Sequence, residues 1–205
     1  IASSLVGSEM CIRDRLISLL LFHAFFTYSI FLKFVGGLSP ITFFKKIKNV
    51  ALFAFSTSSS AATIPVTLKT VNQDLGVNQN VASFVVPVGA TINMDGTAIM
   101  QGLATVFIAQ MSGIDLTLFQ YGQVVLLAVA TSIGTAAVPS AGTITLIIIL
   151  QQFNLPLEAI GIILAVDRVL DMIRTSVNVT GDAAIACIVA KSENQLDENI
   201  FNSHK

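Results

Sequence analysis

The C-terminal third of this 205-residue chain is apolar, yet it carries Asp167, Asp171, Arg174, Thr175, Asn178 and Asp182 at spacings that place all six on one side of a helix. At about 100° per residue they fall within roughly 100° of arc. The other side reads Ile162, Val166, Val169, Ile173 and Val177. A charge at the centre of a bilayer costs at least about 2.5–3.5 kcal/mol, so ionisable residues in such a segment face a cavity and mark the path of a substrate or an ion. A chain with this stripe has to fold so that the rest of the protein encloses it.

Composition agrees with a membrane setting. The hydrophobic fraction is 54% and the charged fraction 11%, with a mean hydropathy of +0.80, outside the usual range of a soluble domain. An all-α integral membrane protein is expected, because a bilayer core admits only backbone that satisfies its own hydrogen bonds. The net charge of -1 offers no basic surface to a nucleic acid. Cys11 and Cys187 lie far apart and neither sits in a ligand-rich cluster, so neither a disulfide framework nor a metal site is indicated.

Residues 1–15 differ from the rest of the chain: Glu9, Arg13, Asp14 and Arg15 stand among small polar residues, with neither the apolar centre nor the cleavage site of a signal peptide. They resemble a translated sequencing-adapter read and are expected to be non-native. Residues 16–36 have the length and apolarity of a spanning helix, within which His23 reads as a packing residue because no carboxylate or second histidine is near in sequence. Lys45, Lys46 and Lys48 mark a cytoplasmic face. If so, 78–111 runs outward and 156–190 returns inward, which puts Lys69, Lys191 and Lys205 on the cytoplasmic side and leaves the outer loops near Asp115 and Glu158 without Lys or Arg. Residues 193–205 form a cytoplasmic tail.

Two stretches do not read as simple spans. Within 116–153, a charge-free stretch too long for one crossing, lies Ser132-Ile133-Gly134-Thr135-Ala136-Ala137-Val138-Pro139-Ser140-Ala141-Gly142, a density of Gly and Pro that breaks a helix. Residues 40–72 have the same form, with the tip at 56–65. Both are expected to be re-entrant helical hairpins, whose exposed backbone survives at membrane depth only inside protein or beside water. Ala61-Ala62-Thr63-Ile64-Pro65 parallels Thr135-Ala136-Ala137-Val138-Pro139, and each tip precedes an Asn-x-x-Gly element, at Asn93 and at Asn178. With the two units entering from opposite sides, this suggests an inverted repeat around a midplane site.

Two sets of polar residues carry chemistry. Asn93-Met94-Asp95 lies in an otherwise apolar segment, 78–111, where Gly96 and Gly102 weaken the helix. An unwound turn there would free carbonyls which, with one carboxylate, make an oxygen cage for a hard cation. In the stripe, Arg174 offers a fork for a carboxylate, Asp171 can accept from an ammonium group, and Asn178 can donate to a second acid. An acid, an amine and a second acid describe aspartate or glutamate.

The segments Ser58-Ser59-Ser60-Ala61-Ala62-Thr63-Ile64-Pro65, Gly89-Ala90-Thr91-Ile92-Asn93-Met94-Asp95-Gly96-Thr97, Gly134-Thr135-Ala136-Ala137-Val138-Pro139, and Asp171-Met172-Ile173-Arg174-Thr175 followed by Asn178-Val179-Thr180-Gly181-Asp182 together resemble the dicarboxylate/amino acid:cation symporter family, the glutamate transporters. The resemblance implies a transport domain over 16–192 and a carrier rather than an enzyme. It implies that Arg174 binds the side-chain carboxylate of the substrate, Asp171 its amino group and Asn178 its α-carboxylate, with contacts from Thr97 and Thr175 and backbone groups at Ser58, Ser60, Val138, Pro139 and Gly142. For sodium it implies three sites: Asp95 with Asn93; the carbonyls of Gly89, Asn93 and Asn178 with Asp182; and Thr91 with Ser132, Ile133 and Thr135. No cofactor is implied beyond sodium as coupling ion.

The resemblance further implies a multi-pass protein of the inner, cytoplasmic membrane that works by an elevator-type movement. It also implies a homotrimer formed through scaffold helices that precede residue 16 and are missing here. Gln101 stands where proton-coupled animal members carry a glutamate, which favours sodium without proton cotransport. Ser58 and Met172 stand where some members have a second arginine, and Ala137 and Ser140 replace glycines common at the second tip. A proton- or sodium-coupled carrier of C4-dicarboxylates is the alternative, disfavoured by Asp171. An ion channel built on the same cages is disfavoured by the charged substrate clamp.

Overall fold

The computed structural model describes residues 2–203, with side chains from Met10 onward; Lys205 lies outside the described residues. The described chain is helical, with one isolated bridge between Val77 and Leu196. Its elements are α1 (Ala2–Phe22), a π-helical turn (His23–Thr27), α2 (Tyr28–Ile30), a second π turn (Phe31–Val35), α3 (Pro40–Thr57), α4 (Ser60–Gln73), α5 (Gln79–Ile92), α6 (Asp95–Met111), α7 (Leu118–Ile133), α8 (Ala141–Gln152), a 3-10 turn (Leu157–Ala159), α9 (Ile160–Ser192) and α10 (Glu198–Asn202).

The first helix starts well before residue 16, because Ile12, Leu16, Leu20, Ala24 and Tyr28 continue one buried row at a spacing of four. Residues Met10–Val35 form a helix long and apolar enough to cross a membrane. In α3, Ser39 caps the N-terminus by accepting from the amide of Thr42, and Pro40 sits in the first turn, where its missing N–H costs nothing. The turn from α3 to α4 is tighter than expected. Ser58 closes α3 in the left-handed region, with φ 52°, and the Ser59 hydroxyl already caps α4 through the amide of Ala62. Pro65 therefore lies inside α4 rather than at the tip. The turn from α7 to α8 is wider, over 134–140, and ends on Ser140 at φ 59°.

The break between α5 and α6 falls at Asn93 and Met94, just ahead of Gly96, while Gly102 stays helical. The Asn-x-x-Gly element at Asn178 remains inside the continuous α9. The two elements meet instead of breaking alike: Gly181 lies where a Cβ would stand 2.5 Å from the Tyr28 Oη and 2.7 Å from the Asn93 Nδ2. Only a glycine lets α9 approach this closely.

Helix α9 is the axis of the molecule. Its C-terminal half packs in an apolar cluster with α3, α4, α5 and α10, including Phe43, Ile47, Val50, Val71, Val86, Ala183 and Phe201. Its N-terminal half packs with α1, α6 and α8 through Leu16, Leu20, Met100, Ile108, Leu146, Leu150 and Ile163. At 1.5 Å per residue, Arg174 stands about 21 Å from the start of α9 and about 27 Å from its end, so the polar stripe is centred where the two clusters meet. Its six members are 2–5% exposed. The other side is mixed: Val169 is 52% exposed, whereas Val177 is buried.

Replacing Gly181 with alanine should destabilise the full-length protein by about 1–3 kcal/mol through overpacking against Tyr28 and Asn93. Gly122→Ala, where nothing lies within 4 Å, should leave stability unchanged or slightly raised. Thermal denaturation in detergent compares the two, and equal melting temperatures would refute the close approach.

Candidate functional site

Both interhelical turns reach the middle of α9 and touch one another. The Ser59 hydroxyl donates to the carbonyl of Ala137 at 2.8 Å, and the amide of Ala61 donates to the same carbonyl at 3.3 Å. Beneath them lies a cavity of ≈ 20 Å³ lined by Ser58, Ser60, Met94, Thr97, Thr135, Ala136, Ala137, Val138, Gly142, Asp171, Arg174, Thr175 and Asn178. Of the residues expected to bind substrate, all but Pro139 line it; Pro139 is exposed.

Charge in this cavity is concentrated on α9. Arg174 donates from Nη2 to the Asp171 Oδ1 and lies 3.7 Å from the Asp167 Oδ1. Asp171 also accepts from the amide of Ser140 at 2.9 Å, which ties it to the second turn. Asp167 accepts from the Thr143 hydroxyl of α8 at 2.7 Å. Two carboxylates thus share one guanidinium out of contact with solvent. Such a group is a poor source of stability, because desolvation offsets the attraction. Among the described residues three buried side-chain atoms have no hydrogen-bond partner: Ser58 Oγ, Asp167 Oδ2 and Arg174 Nη1. Ser58 and Arg174 both line the cavity, so their spare capacity is available to a bound molecule.

Asn178 is already engaged. Its carbonyl oxygen accepts from the amide of Gly96 at 2.8 Å, and its amide faces the Thr97 hydroxyl at 3.3 Å. Gly142 makes room for Thr97, whose Cγ2 would lie 2.8 Å from an added Cβ. Arg168 is exposed and does not join the cavity, and Met172 is half-buried.

The residues expected to hold cations fall into three places. Asp182, 2% exposed, accepts from the Asn93 amide at 3.0 Å, and a Cβ on Gly89 would come within 2.7 Å of its Oδ1. A carboxylate, an amide side chain and bare helical backbone therefore meet at the break between α5 and α6, a donor set suited to a hard cation. Asp95, opening α6, lines a cavity of ≈ 430 Å³ together with Asn93, His23 and Tyr28: its Oδ2 is 3.1 Å from the His23 Nε2 and accepts from the Tyr28 hydroxyl at 3.2 Å. Tyr28 also reaches the carbonyl of Val177, linking Asp95 to α9. In the third group the amide of Thr135 donates to the carbonyl of Ser132 at 3.1 Å, but no hydrogen bond among the described residues joins Thr91 to the others. The hydroxyls of Thr91 and Ser132 donate back along their own helices to Val88 and Val129, that of Thr135 pairs with the Thr131 carbonyl and the Thr145 hydroxyl, and Ile133 is 45% exposed.

His23 is a correction to the sequence reading: its partner is a carboxylate 72 residues away. Tyr28 was missed altogether, although a phenol in an apolar span is itself a signal of a buried hydroxyl that needs a partner. Gln101, wholly buried, holds both arms of the α7–α8 pair. Its Nε2 donates to the Gly142 carbonyl at 3.1 Å and the Thr145 hydroxyl at 2.7 Å, and its Oε1 accepts from Thr131 at 2.9 Å.

The model of the sodium:dicarboxylate symporter family matches residues 15–192. The chain is 46% identical over 168 residues to excitatory amino acid transporter 2 of Homo sapiens, covering 82% of this chain and 29% of that protein. It is 46% identical over 151 residues to the excitatory amino acid transporter of Caenorhabditis elegans, covering 74% and 30%, and 42% identical over 171 residues to excitatory amino acid transporter 5 of Homo sapiens, covering 83% and 30%. It spans less than a third of the length of these relatives. Since the family match takes in the polar stripe, both interhelical turns and the break at Asn93, the chain belongs to the sodium:dicarboxylate symporter family.

Proposed function

We propose that this chain is the substrate-carrying part of a multi-pass carrier in the cytoplasmic membrane that moves an acidic amino acid, aspartate or glutamate, together with sodium. In this reading 16–192 is the transport domain. The α3–α4 and α7–α8 pairs are re-entrant hairpins of an inverted repeat, and the domain slides as an elevator against trimeric scaffold helices supplied by the remaining length of the protein. The names of the relatives and the family support the substrate and ion classes.

The observation that carries the reading is the buried Asp171–Arg174 pair beneath two turns that touch. An α-amino acid with an acidic side chain complements both members of the pair: its ammonium pairs with Asp171, and its side-chain carboxylate with the Arg174 fork, whose Nη1 has no partner among the described residues. A dicarboxylate without an ammonium would set an acid against Asp171 with no compensation. Thr97, Thr175 and Asn178, with Ser58, Ser60, Val138, Pro139 and Gly142 from the turns, would complete the enclosure.

Sodium is cargo here, and the carboxylates Asp95 and Asp182 with Asn93, Asn178 and Gly89 would receive it. Thr91 with Ser132, Ile133 and Thr135 would form a further site once the second turn rearranges. A cavity of ≈ 20 Å³ holds about one water molecule, so a turn has to withdraw before an amino acid enters. Residues 134–140 are the candidate, since few bonds bind them to elements outside their own helix pair: Ser140 to Asp171, and Ala137 to Ser59 and Ala61.

Replacing Arg174 with cysteine should lower aspartate affinity of the full-length protein in liposomes by at least about 100-fold, because an unpaired buried carboxylate costs about 3–5 kcal/mol. Small neutral amino acids should then become substrates. Aspartate affinity retained within about tenfold would remove Arg174 from the site and the reading with it.

Asp182→Asn should weaken sodium binding and, by reciprocity, the sodium-dependent part of substrate binding by the same factor. Titration of substrate at several sodium concentrations measures both. An unchanged sodium dependence would show that Asp182 does not face the ion.

A cysteine at Ser140 should react with a water-soluble thiol reagent in the ligand-free protein and be protected by aspartate with sodium. Equal labelling in both states would transfer the gating role to the first turn.

A further inference from the structure

Beyond the transport site, the structure holds a basic cavity of ≈ 670 Å³ formed by the α3 residues Lys45, Lys46, Lys48 and Asn49, the end of α4 and the C-terminal segment. Lys46 is committed to the fold: it donates to the carbonyls of Asp74 and Ile200 at 2.8 and 2.6 Å and to the Ser203 hydroxyl. Lys45 and Lys48 are exposed one helical turn apart. Leaving Lys46 aside, the lining sets the two exposed lysines against the single carboxylate of Asp74, so it is positive on balance.

Lys48 also lines a second, mostly apolar groove of ≈ 510 Å³ that runs between α1, α3 and α9 past Phe25, Phe44, Leu52 and Phe55. The two spaces therefore adjoin at Lys48, one basic and one apolar. Along α3 the same row continues: Ile41, Lys45, Lys48, Leu52 and Phe55 follow at helical spacing, with Leu52 67% exposed. A ligand that fills both is anionic at one end and apolar at the other.

We propose that this composite groove binds an anionic phospholipid, with the phosphate at Lys45, Lys48 and Asn49 and an acyl chain lying along Leu52 and Phe55 in the apolar groove. Basic pockets between helices at the cytoplasmic surface are suited to anionic headgroups, and the positive residues of α3 mark that surface. The paired grooves make the match one of charge and shape together.

The test uses the full-length protein extracted from nanodiscs containing phosphatidylcholine with or without phosphatidylglycerol, with retained lipid counted by native mass spectrometry. The parent should hold phosphatidylglycerol in preference to phosphatidylcholine. The K45Q/K48Q double variant should lose that retention by about tenfold or more, and L52W, which fills the apolar groove and keeps both charges, should lose it comparably. Both variants should keep the parent's melting temperature. An excess of inorganic phosphate should not displace the lipid.

Equal retention by the parent and the double variant would overturn the proposal. So would loss in the double variant with full retention in L52W, which would describe surface adsorption of a headgroup. Displacement by inorganic phosphate would make the site one for the free anion. Retention of no lipid by the parent would mean that other helices of the full-length protein cover the groove.

Discussion

Everything in this molecule is arranged around a guanidinium that has been taken out of water. Arg174, 2% exposed, cannot be held there by apolar packing. It needs counter-charge and hydrogen bonds from several directions, and Asp171 and Asp167 on its own helix provide the first. The carboxylates in turn need donors from outside α9, and they find them in Ser140 and Thr143 of the second helix pair. The position of the α7–α8 turn thus follows from the need to satisfy charges on a different helix.

That need explains the layered interior. Two apolar clusters surround α9, one toward each end, and the polar contacts gather between them. Apolar burial drives the assembly of each cluster, while the layer between is held by hydrogen bonds that keep a few atoms unsatisfied. A site built in this way can exchange partners without disturbing either cluster.

The sequence made the stripe legible because ionisable side chains at membrane depth have few tolerable surroundings, and all six residues are enclosed. It also located both turns, since Gly, Pro and Ser accumulate where helices stop. Boundaries were less legible. Pro65 reads as a terminator, yet the Ser58–Ser59 pair ends one helix and caps the next before it is reached. The break at Asn93 appeared as a tendency of the Gly96 region, because a break is decided by what lies opposite, here Asp182 and Gly181. His23 was opaque for a related reason: its partner Asp95 is remote in sequence, and π-helical turns on either side of Tyr28 reset the register in which His23 and Tyr28 point. The family resemblance supplied roles for residues, such as Thr91 and Ile133, that their chemistry alone does not suggest.

The close approaches at Gly89, Gly142 and Gly181 bear on how such a chain tolerates mutation. Each of these positions offers no functional group, yet each is where a chemically active side chain rests against bare backbone. An added methyl would displace Asp182, Thr97 or Tyr28 with Asn93 while leaving every polar residue in the sequence unchanged. Sequence drift at such points would therefore be silent in any inventory of ligands, and inactive variants would keep a complete set of charged and amide residues. The fragile part of this interior is the empty space reserved beside its polar groups.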